Sequence, residues 1–168
     1  MKGGMRVALG GTFDPVHDGH RKLFERAFEL GDVTVGLTTD ELAPKTRHTD
    51  RYVRPYEERE SDLRRELSAL APENREFTVL PLEEPTGIAT EARFDYLVVS
   101  PETREGGERV NTIRREKGLE PLELVVVDHV PAEDGERISS TRIVRGEIDE
   151  HGNLTPEAAG REPARERL

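Results

Sequence analysis

The sequence predicts an α/β domain with a five-stranded parallel sheet and helices on both faces. Three observations predict it. Apolar, strand-like runs alternate along the chain with stretches of helical spacing. The runs are near-continuous, as in "LVVV" (124–127), which fits strands covered on both sides. The chain has 168 residues, enough for one domain with a real core, and shows no internal repeat.

"MRVALG" (5–10) is a short apolar run closed by glycine and reads as the first strand. "HRKLFERAFELG" (20–31) spaces Leu23, Phe24, Ala27, Phe28 and Leu30 on one helical face and stops at Gly31. The β-branched "DVTVGLTTD" (32–40) is the second strand. "PYEERESDLRRELSALAP" (55–72) opens on a proline suited to a first helical turn and aligns Leu63, Leu67 and Leu70. "EFTVLPL" (76–82) and "FDYLVVS" (94–100) are strands three and four. "GERVNTIRREKG" (107–118) sets Val110, Ile113 and Arg114 on one side and closes on Gly118. "LELVVVDHV" (122–130) is the fifth strand, and "SSTRIVRG" (139–146) a short helix with a serine cap. Together, residues 5–148 form the domain. The segment 149–168 loses apolar periodicity and reads as a loose tail.

Composition excludes several functions. There is no cysteine, hence no disulfide, thiolate zinc site or thiol catalysis. No apolar run approaches the roughly 18 residues of a membrane span, and no signal-peptide core is present, so a cytoplasmic location is expected. Asp plus Glu is 35 against 25 for Lys plus Arg, a net charge of −10. That surface repels the phosphate backbone of nucleic acid. Lysine occurs only at positions 2, 22, 45 and 117. An acidic, lysine-poor surface resembles that of haloarchaeal proteins, where salt screens carboxylate repulsion over a few ångströms. A solvated acidic face is the plainer reading.

The first strand leads into "GGTFDPVHDGH" (10–20). Neither a dinucleotide fingerprint nor a Walker loop is present. Gly10 and Gly11 suit close approach of a phosphate, Pro15 stiffens the loop, and Gly19 lets the chain turn into a helix near His20. A helix N-terminus attracts anions, and His17 and His20 add two donors. Zinc would need a further ligand, and His48 and His129 stand in no ligand-like spacing. "RISSTRI" (137–143) places Ser139, Ser140, Thr141 and Arg142 at another helix start. In a parallel sheet both stretches lie at the carboxyl ends of the strands, where ligands bind.

The two stretches together resemble the nucleotidyltransferase superfamily with HxGH and ISSTxR signatures. The first is met by His17, Asp18, Gly19 and His20, the second by Ile138, Ser139, Ser140, Thr141 and Arg142. "GLTTDELAPK", "RPYEER" and "SPETREGGERVNTIRREKGLEPLELVVV" make the chain similar to the archaeal type of phosphopantetheine adenylyltransferases. The resemblance implies a Rossmann-like fold and in-line transfer of adenylyl from ATP to 4′-phosphopantetheine, with magnesium carried on ATP and no dedicated metal site. His20 would hold the α-phosphate, His17 the ATP phosphates, Thr12 both reacting phosphates, and Lys45 the attacking phosphate. Ser139, Ser140 and Thr141 would bind the β- and γ-phosphates, with Arg142 in support and Arg104 on the triphosphate. Gly11 and Phe13 complete the expected binding loop, and Asp14 is expected to be structural. The superfamily leaves open an adenylyltransferase acting on nicotinamide mononucleotide or flavin mononucleotide, a cytidylyltransferase, or a nucleotide-binding module without turnover.

Overall fold

The computed structural model describes residues 5–46 and 52–156. Five strands lie in the order β3-β2-β1-β4-β5, every neighbouring pair parallel. They are β1 (Arg6–Gly11), β2 (Asp32–Thr38), β3 (Phe77–Leu82), β4 (Tyr96–Val99) and β5 (Glu123–Val126). The helices are α1 (Asp18–Leu30), α2 (Ala43–Thr46), α3 (Tyr56–Leu70), α4 (Arg104–Glu116) and α5 (Ser140–Val144), with a 3₁₀ turn over Ile88–Thr90. Each of the nine elements expected from periodicity is present, with ends shifted by a few residues. The short α2 and the 3₁₀ turn were not expected, because neither is long enough to show a period.

The alternation of side chains along β1 divides the core. Val7 and Leu9 meet Phe24 and Phe28 of α1 and Leu63 and Leu67 of α3. Ala8 points the other way, into a second cluster with Phe94, Leu97, Val99 and Val110. On that side α4 is fastened by its polar groups. The Asn111 amide exchanges two hydrogen bonds with the main chain of Leu122. The buried Arg114 guanidinium donates to the carbonyls of Ala89, Glu91 and Glu120.

One expectation fails in detail. The "LVVV" run is not covered on both sides: β5 is an edge strand, pairing only with β4, and Val126 is 40% exposed. A second difference concerns residues after 148. The expected loose segment starts with a stretch docked onto the domain. Asp18 N donates to Glu150 O, Glu133 N to Gly152 O and Thr155 N to Glu147 O. Just before it, Ile148 packs with Ala132 and Ile138 in a small third cluster. These ties are mostly polar and long-range, so apolar periodicity does not report them. Residues 157–168 lie outside the described residues.

The chain runs outward from β1 through β2 to β3, then returns to β4 on the other side of β1. That reversal opens a crevice beyond the carboxyl ends of β1 and β4, where the loops after Gly11 and Val99 diverge.

Candidate active site

The loop after β1 is held from below and from both sides. Phe13 adopts a left-handed backbone (φ 51°), uncommon for a residue other than glycine. This tucks its ring under Gly11, where an added Cβ would meet the ring at 2.9 Å. The same ring abuts His20 edge-on at 4.8 Å and Phe24 at 5.4 Å. Asp14 is buried and accepts from the Arg54 main-chain N at 2.8 Å and from its Nε at 2.6 Å. On the other flank, the Ser140 hydroxyl donates to Pro15 O at 2.7 Å and joins two loops 125 residues apart.

His17 caps α1, and its partner in the cap is the second histidine. Gly19 N donates to His17 Nδ1 at 3.0 Å, while His17 N donates to His20 Nδ1 at 3.3 Å. Residues three apart are neighbours at a helix start, so this spacing makes a reciprocal cap, built from imidazoles where a capping box uses serine and glutamate. The rings stack at 3.8 Å. Because each Nδ1 accepts a main-chain N–H, each neutral ring carries its proton on Nε2. Two Nε2–H donors remain for a ligand.

Both rings are held neutral. Burial, then the nearby Arg21, pushes the His17 pKa down to about 4, against an opposing effect of Asp18. Burial, then His17 and Arg21, holds His20 well below the ordinary histidine value. Arg21 is itself fixed by Asp18, Glu66 and Glu150 at 2.7, 3.0 and 2.5 Å. It thereby links α1, α3 and the docked segment after 148. For Asp18, burial works against the charged form, but hydrogen bonds from Arg21 and His151 outweigh it and lower the pKa.

The histidines form one wall of an open cleft. Ser139 and Ser140, at the start of α5, border it. The Ser139 side chain caps α5 by accepting from Arg142 N at 3.2 Å. The facing wall comes from the loops after β4 and β5. There Glu102 lies between His129 Nε2 at 2.8 Å and the Arg137 guanidinium, Nε at 3.2 Å.

Of the residues expected at the site, His17, His20, Ser139 and Ser140 line this cleft. Gly11, Thr12 and Phe13 form the loop behind it. Lys45 is exposed in α2 and Arg104 is exposed on α4, paired with Glu108 at 3.6 Å; neither lines the cleft. Thr141 lies within α5 and does not line it either. Arg142 is turned to Asp134 at 2.5 Å and Glu147 at 2.8 Å, so it braces the turn that presents Ser139. Sequence reading missed Glu102, Arg137 and the anchoring Arg54. The signal for Arg137 was present: it is the cation immediately before "ISSTR". Among the described residues, no group of three or more His, Asp or Glu side chains could hold a metal ion. His48 lies outside them. No helix is long and apolar enough to cross a membrane, among the residues described.

A parallel α/β sheet with neutral histidine donors and a serine-capped helix start on one cleft defines a phosphate-binding protein of the nucleotide-handling type. The chain belongs to the cytidylyltransferase-like family, whose model matches residues 8–146. It is 46% identical over 156 residues to the phosphopantetheine adenylyltransferase of Methanosarcina mazei, covering 91% of this chain and 99% of that one. It is 43% identical over 152 residues to the enzyme of the same name from Archaeoglobus fulgidus, covering 89% and 99%. Among solved structures, a protein of unknown function from Archaeoglobus fulgidus superposes with a TM-score of 0.66 at 34% identity. It covers 80% of this chain and all of that one.

Proposed function

We propose that this chain transfers the adenylyl group of ATP to 4′-phosphopantetheine, giving dephospho-coenzyme A and pyrophosphate. The observation that carries the reading is the reciprocal histidine cap, two fixed Nε2–H donors on one cleft with the α5 start, in a chain 46% identical to an enzyme of that name.

The acceptor phosphate is already an anion at pH 7, so no protein base is required. One of its oxygens attacks the α-phosphorus of ATP. The bond to the bridging oxygen breaks, and pyrophosphate leaves on the opposite side with that electron pair. The protein's contribution is positioning and charge stabilisation. His20 Nε2–H donates to the α-phosphate as its charge grows, and His17 Nε2–H to the neighbouring phosphates. Neutral rings suit this role, since they donate without drawing a proton from the cleft. Thr12 meets both reacting phosphates; Lys45, exposed in α2 outside the cleft, would have to swing in to meet the incoming one. The start of α5, with Ser139 and Ser140, receives the β- and γ-phosphates; Arg142 braces it. The Ser140 hydroxyl proton is committed to Pro15 O, so Ser140 offers the phosphates its main-chain N–H at the helix start. Magnesium enters as part of the substrate, bound to the phosphates of ATP. The reaction belongs to the cytoplasm.

Incubation with magnesium-ATP and 4′-phosphopantetheine, followed by mass spectrometry, tests this. Dephospho-coenzyme A should form only when both substrates are present. Its absence overturns the reading.

A further inference from the structure

Among the described residues, Arg59 is the largest fully buried side chain, its guanidinium 5.8 Å from the Tyr56 ring centroid and otherwise among polar partners. Its guanidinium donates to Arg54 O at 2.7 Å and to Asp40 Oδ1 at 3.0 Å. Its Nη1 donates to Thr12 O and to Thr38 Oγ1, each at 3.3 Å. Thr38 Oγ1 in turn lies 2.8 Å from Thr12 Oγ1. One buried cation thus holds the loop after β1 and the end of β2 together.

The chemistry of these groups sets a direction. A guanidinium has no acceptor, so Thr38 Oγ1 must accept from Arg59. If Thr12 also donated to Thr38, the Thr38 hydroxyl proton would be left without an acceptor in a side chain only 2% exposed. The satisfied arrangement runs the other way: Arg59 donates to Thr38, and Thr38 donates to Thr12. The Thr12 proton then points onward. A phosphate oxygen, which can only accept, completes the chain at the far end.

We propose that Arg59 and Thr38 are positioning residues that fix the Thr12 hydroxyl as a donor to the reacting phosphates. The inference rests on the placement of Thr12 at those phosphates. Successive donors polarise one another in a chain of this kind, so the last one binds a growing negative charge more strongly than an isolated hydroxyl. The effect falls on the transition state, where charge grows, more than on bound ATP.

The test is a double-mutant cycle on the full chain, with kcat, KM for ATP and the melting temperature read for each protein. Thr38→Val keeps shape and removes the hydroxyl. It should lower kcat about tenfold, change KM for ATP less than about twofold and leave Tm within a few degrees. Thr38→Ser should restore kcat to within about threefold of the parent, because it returns the hydroxyl. In a Thr12→Val background, Thr38→Val should cost nothing further. If Thr38→Val does not fold, Thr38→Ala removes the same group with less bulk and is read identically. Parent-like kcat for Thr38→Val, or losses that add in the double variant, overturns the relay while leaving Thr12 at the phosphates. Parent-like kcat for Thr12→Val overturns the placement of Thr12 and the relay with it.

Discussion

A Cβ added at Gly19 would stand 2.9 Å from Cε1 of the His17 ring and 3.0 Å from its Nδ1. No side chain fits there. The sequence suggested that this glycine allows a sharp turn into the helix, but α1 already begins at Asp18. What Gly19 supplies is space, with its N–H directly under the imidazole. Gly19→Ala should therefore push the His17 ring aside and break its cap bond. We expect kcat to fall by about 10², with a cost of about 1 kcal/mol from the lost cap. Activity assays and thermal melts on one preparation check this. A full-rate Gly19→Ala protein would mean that His17 need not sit where it does.

His20 joins the fold through Nδ1, and the proposed reaction uses its Nε2. His20→Ala should lower turnover by roughly 10²–10³, the scale of removing one oxyanion donor. Its effect on Tm should be small, since the lost cap is offset by releasing a buried polar ring. Pre-steady-state measurement of the adenylyl-transfer step gives the answer. Slow transfer with ordinary ATP affinity is expected; ordinary transfer would remove His20 from the chemistry.

The depressed histidine pKa has a definite sign. Between about 4 and 6.5 the unfolded chain binds a proton at His17 that the folded protein does not. Stability therefore rises with pH across that window and is lost as pH falls from 6.5 toward 4, by on the order of 3 kcal/mol from this group. Above 6.5 the group contributes no further slope. Histidine NMR titration should find His17 near 4 and His20 well below 6.5, and bound ATP should raise both through its negative charge. Ordinary histidine values in the free protein would contradict the neutral-donor picture.

The net charge of −10 makes a separate prediction. Carboxylate repulsion is strongest in dilute buffer and is screened within about 3 Å at 1 M salt. If the acidic surface is an adaptation to a salty cytoplasm, circular dichroism should show structure lost in dilute buffer and regained in molar potassium chloride. A flat salt series would leave the surface as a matter of solubility.

Much of this was legible in the sequence, for local reasons. Apolar runs such as "MRVALG" mark buried strands because the period-2 and period-3.6 patterns are properties of neighbouring residues. The histidine pair was legible as two donors at a helix start, but its reciprocal cap shows only in the structure. What stayed hidden depends on partners far along the chain. Nothing near Arg59 shows that its guanidinium will be buried against Thr12, 47 residues away. Nothing in "DEHGN" shows that Glu150 will reach Arg21. Arg142 was legible as a cation at a helix start, but its orientation toward Asp134 and Glu147 is set by packing.

Comparing acceptors in a pyrophosphate-release assay tests the central claim most directly. With ATP as donor, 4′-phosphopantetheine should give by far the highest kcat/KM, and nicotinamide mononucleotide, flavin mononucleotide and phosphocholine essentially none. CTP should be a poor donor, because a site that hydrogen-bonds a purine leaves polar groups unpaired around a pyrimidine. Rapid turnover of flavin mononucleotide with none of phosphopantetheine would contradict the assignment, leaving the family intact and its substrate misread.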